Sequence, residues 1–235
     1  MKLTGKVMAV TGGFGNLGTA LGIAALEAGA QLALIDRADA PTAGKLPAAL
    51  SSALLLGNMD LASFEAAQRA LAAVAERFGG LDILANIAGT FRWQTLADGD
   101  LATWDLLYAV NLRTAVVSSK AALPHLRARG GGRIINVGAA AAAGKAGKGM
   151  GAYTAAKAGV AKLTESLAEE VKDSGINVNA VLPSIIDTPA NRADMPKADF
   201  SRWVTPAALA DVIVFLASDA ARAITGALLP VSGRV

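Results

Sequence analysis

The feature that most restricts how this chain can fold is its alternation of short apolar runs with longer amphipathic or alanine-rich stretches. The apolar runs predict strands at 6–11, 31–36, 53–58, 81–87, 133–137, 177–182 and 227–231. Helices are predicted at 16–28, 61–78, 101–109, 112–129, 151–174 and 206–218. Such alternation implies βαβ units and a parallel sheet, with right-handed crossovers that place helices on both faces. The runs are continuously apolar, as expected when both faces of a strand are buried. Segments 37–47, 139–149 and 183–205 carry weak secondary-structure signals. They follow the second, fifth and sixth strands, which puts them at the carboxyl edge, where open α/β sheets bind ligands.

Composition excludes several classes. With 53% hydrophobic and 17% charged residues, a sizeable core is available and no break marks a second domain, so residues 1–235 are expected to form one unit. There is no cysteine, which removes disulfides, thiolate metal sites and a cysteine nucleophile. No metal-ligand cluster is visible either. The net charge of +3 is too weak to argue for nucleic acid. A local excess at Arg127, Arg129, Arg133, Lys145 and Lys148 reads as a solvated face, or as attraction for an anionic cofactor or substrate. No apolar run reaches membrane length, and the run at 7–10 is too short for a signal peptide, so a cytoplasmic protein is expected.

After the first apolar run comes Thr11–Gly12–Gly13–Phe14–Gly15–Asn16–Leu17–Gly18, then a helical stretch. Gly13, Gly15 and Gly18 satisfy G-x-G-x-x-G. Such glycines permit a tight turn, close approach of backbone to a pyrophosphate, and helix-on-strand packing. The helix N-terminus offers unpaired N–H groups to the phosphates. Placed at the first strand–helix junction, the motif points to a Rossmann-type site for a dinucleotide. Asp36 closes the second run, where a carboxylate can accept from the adenosine ribose hydroxyls and repel a 2′-phosphate. That favours NAD, with NADP possible because Arg37 is either a solvated turn residue or a phosphate partner.

Tyr153 and Lys157 lie at i and i+4 and share a helix face. The ammonium is expected to lower the phenol's pKa and make it an acid/base near neutrality.

With these residues in view, the chain resembles the short-chain dehydrogenase/reductases over nearly its whole length. The matches are the glycine turn, Asp60, Asn86–Ile87–Ala88–Gly89, Asn111, the Tyr153/Lys157 pair, and Pro183 with Thr188. The resemblance implies an α/β, doubly wound domain with a seven-stranded parallel sheet of order 3-2-1-4-5-6-7. It makes Tyr153 the proton donor or acceptor. Lys157 would hold the nicotinamide ribose, and Asn111 would organise a water-mediated proton path. Asp60 with Leu61, Asn86, Ala88 and Gly89 would line the adenine side, with Ile186 and Thr188 beside the nicotinamide amide. It further implies a homodimer or homotetramer through helices 112–129 and 151–174.

The chain departs from the family where a catalytic serine is expected. The run Gly138–Ala139–Ala140–Ala141–Ala142–Ala143–Gly144 occupies that place, so the position falls on Ala139 or Ala140. Quinonoid dihydropteridine reductases, a branch of the same superfamily, share the G-G-x-G-x-L-G turn and lack that serine. Residues 187–203 resemble their substrate-side loop. The function expected is NAD(H)-dependent hydride transfer to a dihydropterin-type or carbonyl small molecule. The alternative is a dinucleotide-binding sensor or scaffold that has lost catalysis. Phe91, Trp93 and Trp203 are either packing anchors or an aromatic wall for a planar substrate.

Overall fold

Side chains of the central strands alternate between two faces, and both faces are apolar. In β1 (Val7–Thr11), Met8 and Val10 enter one core while Val7 and Ala9 enter the other. In β2 (Gln31–Ile35), Leu32 and Leu34 oppose Ala33 and Ile35 in the same way. Two buried faces explain why the sequence shows continuous apolar runs. The computed structural model describes residues 1–42 and 45–235. Positions 43 and 44, within the weak segment 37–47, lie outside the described residues.

The remaining strands are β3 (Leu54–Leu56), β4 (Ile83–Asn86), β5 (Gly132–Val137), β6 (Ile176–Pro183) and β7 (Leu228–Val231). All pair in parallel in the order β3-β2-β1-β4-β5-β6-β7, the expected doubly wound sheet. The helices are α1 (Asn16–Glu27), α2 (Phe64–Phe78), α3 (Leu101–Tyr108), α4 (Thr114–Ala128), α5 (Ala140–Ala143), α6 (Gly151–Val171), α7 (Pro189–Asp194) and α8 (Pro206–Ala217). α1 and α8 cover one face through Leu21, Leu209 and Ile213. α2, α4 and α6 cover the other through Leu71, Leu126 and Leu167.

Several boundaries differ from expectation for local reasons. α2 begins at Phe64, not at 61, because the Ser63 hydroxyl accepts the Ala66 N–H and caps it. The expected gap at 110–111 is instead one π-helical turn, Ala109–Arg113, which joins α3 to α4. The weak segments at 139–149 and 183–205 contain the short helices α5 and α7.

The basic excess read from sequence is divided between opposite ends of the sheet. At the amino edge, buried Asp82 accepts the Val7 N–H at 2.9 Å and two bonds from Arg129 at 3.2 Å, with Lys6 at 3.9 Å. Arg133 lies 3.8 Å from Asp219 at that edge. Lys145 and Lys148 lie exposed in the loop between α5 and α6. Among the described residues no helix is long and apolar enough to cross a membrane, and no cluster of three His, Cys, Asp or Glu could hold a metal.

Candidate active site

The turn after β1 is built around three glycines that the protein itself requires. Gly12 adopts φ +66°, and a methyl there would stand 2.9 Å from the Ala88 backbone. A methyl at Gly13 would meet Leu34 Cβ at 2.7 Å, and one at Gly18 would overlap the Gly12 carbonyl. Gly15 is different: its only near neighbour would be Gly12 O at 3.5 Å, and both Gly15 and Asn16 are exposed at the start of α1. Packing does not explain the missing side chain at Gly15. An open position at a helix N-terminus has room for an anionic ligand. Leu17 is buried in the core beneath.

Asp36 braces this turn. One carboxylate oxygen accepts the Phe14 N–H at 3.1 Å and the other the Ala38 N–H at 3.0 Å. Both bonds hold the carboxylate beside the turn, with lone pairs left over for further donors. Arg37 is exposed. Asp60 is also exposed and accepts the Ala62 N–H at 3.1 Å, next to buried Leu61. The Thr11 hydroxyl accepts the N–H groups of Ile87 and Ala88 at 3.0 and 3.1 Å, which ties the ends of β1 and β4 together.

The dipeptide Ala88–Gly89 joins this cradle to the second group of polar residues. A methyl at Gly89 would stand 2.8 Å from Asn111 Oδ1 and 3.3 Å from Lys157 Nζ. Asn111 sits inside the π turn at 1% exposure. Its amide donates to Leu107 O (3.0 Å) and Thr90 O (2.9 Å), and its oxygen accepts the Thr90 N–H (3.1 Å). A π turn is costly unless locked by its surroundings. Asn111 ties this turn to the loop after β4 at Thr90.

Lys157 is 4% exposed, and its ammonium donates to Val137 O at 2.7 Å. An ammonium has three donors, and no other protein acceptor is bonded to it among the described residues. Two free donors on a buried cation beside Gly89 fit the hydroxyls of a dinucleotide ribose. Burial lowers the Lys157 pKa to about 8.

Tyr153 is half-buried, meets Phe91 edge to face at 5.1 Å, and lies with its ring centroid 6.0 Å from Lys157 Nζ. Its pKa moves opposite to expectation, pushed up to about 12. Burial of the phenolate outweighs the lysine, which is itself driven toward neutrality and bonded to Val137. A phenol that keeps its proton across neutral pH is suited to donate it.

These shifts predict a pH signature in stability. From pH 8 to about 10.5 the unfolded chain keeps the lysine proton while the folded chain has lost it, so stability rises with pH. Above pH 10 the unfolded tyrosine ionises first, and stability falls. The difference in urea-unfolding free energy between wild type and Lys157→Met should therefore climb from pH 8 to 10. A flat difference would refute the lowered lysine pKa.

The serine position is occupied by alkyl groups. Ala139 is 4% exposed with extended backbone (φ −157°, ψ 140°), and Ala140 starts α5. Ser184, which follows Pro183, donates its hydroxyl to Ser232 O at 2.7 Å and is not free to replace that serine. Beyond Pro183 at the end of β6, Ile186 bridges to Val204, and Thr188 caps α7 by accepting the Asn191 N–H. Arg192 grips Asp187 at 2.6 and 2.8 Å and lies 4.8 Å from the Phe200 ring centroid. Of the aromatic candidates, Trp203 is buried in this loop, whereas Phe91 and Trp93 are 45% and 57% exposed. Trp93 Nε1 donates to Lys148 O at 2.9 Å, and the Gln94 N–H donates to Gly149 O at 3.0 Å. The loops after β4 and β5 are thereby clasped.

Asn86, expected on the adenine side, ends β4 beside Thr11 of β1. At 5% exposure, its amide donates to Ser119 Oγ (3.0 Å) and Asn136 Oδ1 (2.9 Å). Asn136 in turn donates to Thr164 Oγ1 (2.9 Å). The amide nitrogen is engaged inside the sheet–helix layer, while Oδ1 is buried with no partner among the described residues. The signal for this ladder was present in the sequence: single asparagines interrupt the otherwise apolar runs of β4 and β5.

The model of the short chain dehydrogenase family matches residues 6–199, across both the glycine turn and the Tyr153–Lys157 helix. The chain belongs to the short-chain dehydrogenase family. This short-chain dehydrogenase is 34% identical to 2-(S)-hydroxypropyl-CoM dehydrogenase 3 of Xanthobacter autotrophicus, over 99% of its length and 97% of the relative's. It is also 34% identical to 3-oxoacyl-(acyl-carrier-protein) reductase of Vibrio cholerae, over 99% and 98%. Among solved structures, 3-ketoacyl-(acyl-carrier-protein) reductase from Brucella melitensis complexed with NADH superposes with TM-score 0.89 at 28% identity, covering 99% of both chains. Carveol dehydrogenase from Mycobacterium avium in complex with NAD gives 0.85 at 26%, covering 99% and 98%.

Proposed function

We propose that this oxidoreductase is NAD(H)-dependent and reduces a conjugated quinonoid or imine-like acceptor of the dihydropterin type, with Tyr153 as proton donor. The observation that carries the reading is the Ala88–Gly89 junction, where the glycine turn touches one residue and Asn111 and Lys157 touch the next. The glycine turn and the Asn111–Lys157 pair thus meet at one dipeptide.

When bound, the nicotinamide dinucleotide supplies the hydride. Residues 12–18 and the start of α1 would hold its diphosphate, Asp36 the adenosine ribose, and the free donors of Lys157 the nicotinamide ribose. Tyr153 gives its proton to the acceptor atom. Lys157 stabilises the phenolate left behind. Asn111, whose amide donors are both engaged, keeps the Gly89–Thr90 backbone in place and so positions Lys157.

The acceptor class follows from the alanines. Losing one donor to a developing alkoxide typically costs about 10²–10³ in rate. An acceptor that spreads charge over ring nitrogens is far less dependent on that donor, and the exposed rings of Phe91 and Trp93 suit a planar molecule. The 187–203 loop, similar to that of dihydropteridine reductases, supports the same class. A carbonyl or alcohol substrate is the second reading, favoured by the names of the relatives.

Consumption of NADH and NADPH with quinonoid dihydropterin, quinones, imines and simple ketones tests all of this. NADH oxidation with the dihydropterin is expected. Asp36→Ala should narrow the preference for NADH over NADPH, and a wild-type preference for NADPH would overturn the role of Asp36. NADH binding without oxidation across the panel would leave a dinucleotide sensor as the function. Pairing through α4 and α6 would give a homodimer or homotetramer; light scattering that reads a monomer would refute it.

A further inference from the structure

The segment that follows β7 turns back along the loop that follows β6. At the loop's first foot, Ser184 donates its N–H to Val231 O at 3.1 Å and its hydroxyl to Ser232 O at 2.7 Å. At the second foot, the Arg234 N–H donates to Arg202 O at 2.9 Å, and Arg202 Nε donates back to Arg234 O at 2.8 Å. Between these contacts Gly233 adopts φ +62°. A methyl there would stand 2.7 Å from Arg202 O and 3.3 Å from Val204 Cγ2. Conformation and space both demand glycine at this point.

Inside this grip the loop closes its own base. The Asp187 N–H donates to Val204 O at 2.8 Å, and the Val204 N–H donates to Ile185 O at 3.0 Å. Residues 187–203 therefore form a closed excursion held from outside by 231–234. The excursion carries α7, the Asp187–Arg192 pair and the Phe200–Trp203 contact, with ring centroids 4.8 Å apart. Its first foot stands beside the end of β5: the Gly138 N–H donates to Val181 O, and Lys157 is bonded to Val137 O. Neighbouring strands lie ~4.8 Å apart, so the excursion rises one strand away from the Tyr153–Lys157 helix.

We propose that residues 232–235 position this loop over the acceptor, with Gly233 and Arg202 as the positioning residues. The inference rests on the proposed function, which makes 187–203 the acceptor-side loop. A loop ordered in advance spares the acceptor the entropy of ordering it on binding. Loosening the grip thus weakens acceptor binding and leaves proton donation by Tyr153 untouched.

Gly233→Val and Arg202→Ala test this against Arg202→Lys, whose ammonium can still reach Arg234 O. In the first two variants KM for the acceptor should rise ~10-fold, with kcat and NADH affinity held. Amide hydrogen exchange across 187–200 should quicken in both. Arg202→Lys should behave like wild type in every readout. Unchanged exchange in both variants would overturn the proposal, as would equal losses of kcat, acceptor KM and NADH affinity. If no acceptor is turned over, the functional reading fails and the exchange rates alone decide the positioning claim.

Discussion

Tyr153→Phe should lower kcat by about 10²–10⁴-fold, the usual contribution of a positioned acid, while NADH still binds. Folding should be unaffected, because the hydroxyl has no hydrogen-bond partner among the described residues. The ring's edge-to-face contact with Phe91 survives in phenylalanine. Deleting a hydroxyl that bonds to no protein group orphans no partner. Steady-state kinetics, NADH titration by fluorescence and thermal unfolding on one preparation separate these effects. Turnover within a few-fold of wild type would remove Tyr153 from the mechanism. A matching loss of NADH affinity would recast it as a binding residue.

The second large effect comes from restoring what the chain lacks. Ala139→Ser, with Ala140→Ser beside it, should raise ketone reduction by about 10²–10³-fold, the value of one oxyanion donor. Reduction of a quinonoid or imine-like acceptor should change little. The extended backbone at Ala139 accepts serine without strain. This contrast distinguishes the two acceptor classes directly. If both serine variants leave ketone reduction flat, another donor already serves the carbonyl, and the argument from the alanines fails.

How much of this was readable in advance depends on the kind of interaction. Strand positions and the glycine turn were legible because they are written in local pattern: apolar runs such as Ile83–Asn86, and Gly13 and Gly18 at a strand–helix junction, whereas the strand order was implied by the family resemblance. Tyr153 and Lys157 were legible as a helical pair. The π turn at Ala109–Arg113 was not, since its Asn111 bonds to Thr90, a residue distant in sequence. The tyrosine's upward shift was equally hidden. A lysine one turn away predicts the opposite, and only the packed interior shows that burial prevails. The division of the basic residues escaped for the same reason: Arg129 and Lys145 are close in the chain, yet one belongs to Asp82 at the amino edge.

The buried asparagine ladder has a consequence for how the sheet assembles. Asn86 and Asn136 stand at partnered positions on β4 and β5, and both turn toward Ser119 and Thr164 on the helices above. A slip of one residue would rotate one amide into the aliphatic core beneath the sheet and strand its partner without an acceptor. Aliphatic strands alone tolerate such slips poorly but not absolutely; two paired amides make the penalty steep. The ladder acts as an indexing pin for the middle of the sheet. It sets Gly89 and Ala139 each three residues beyond a paired asparagine, so the loops after β4 and β5 leave the sheet in register.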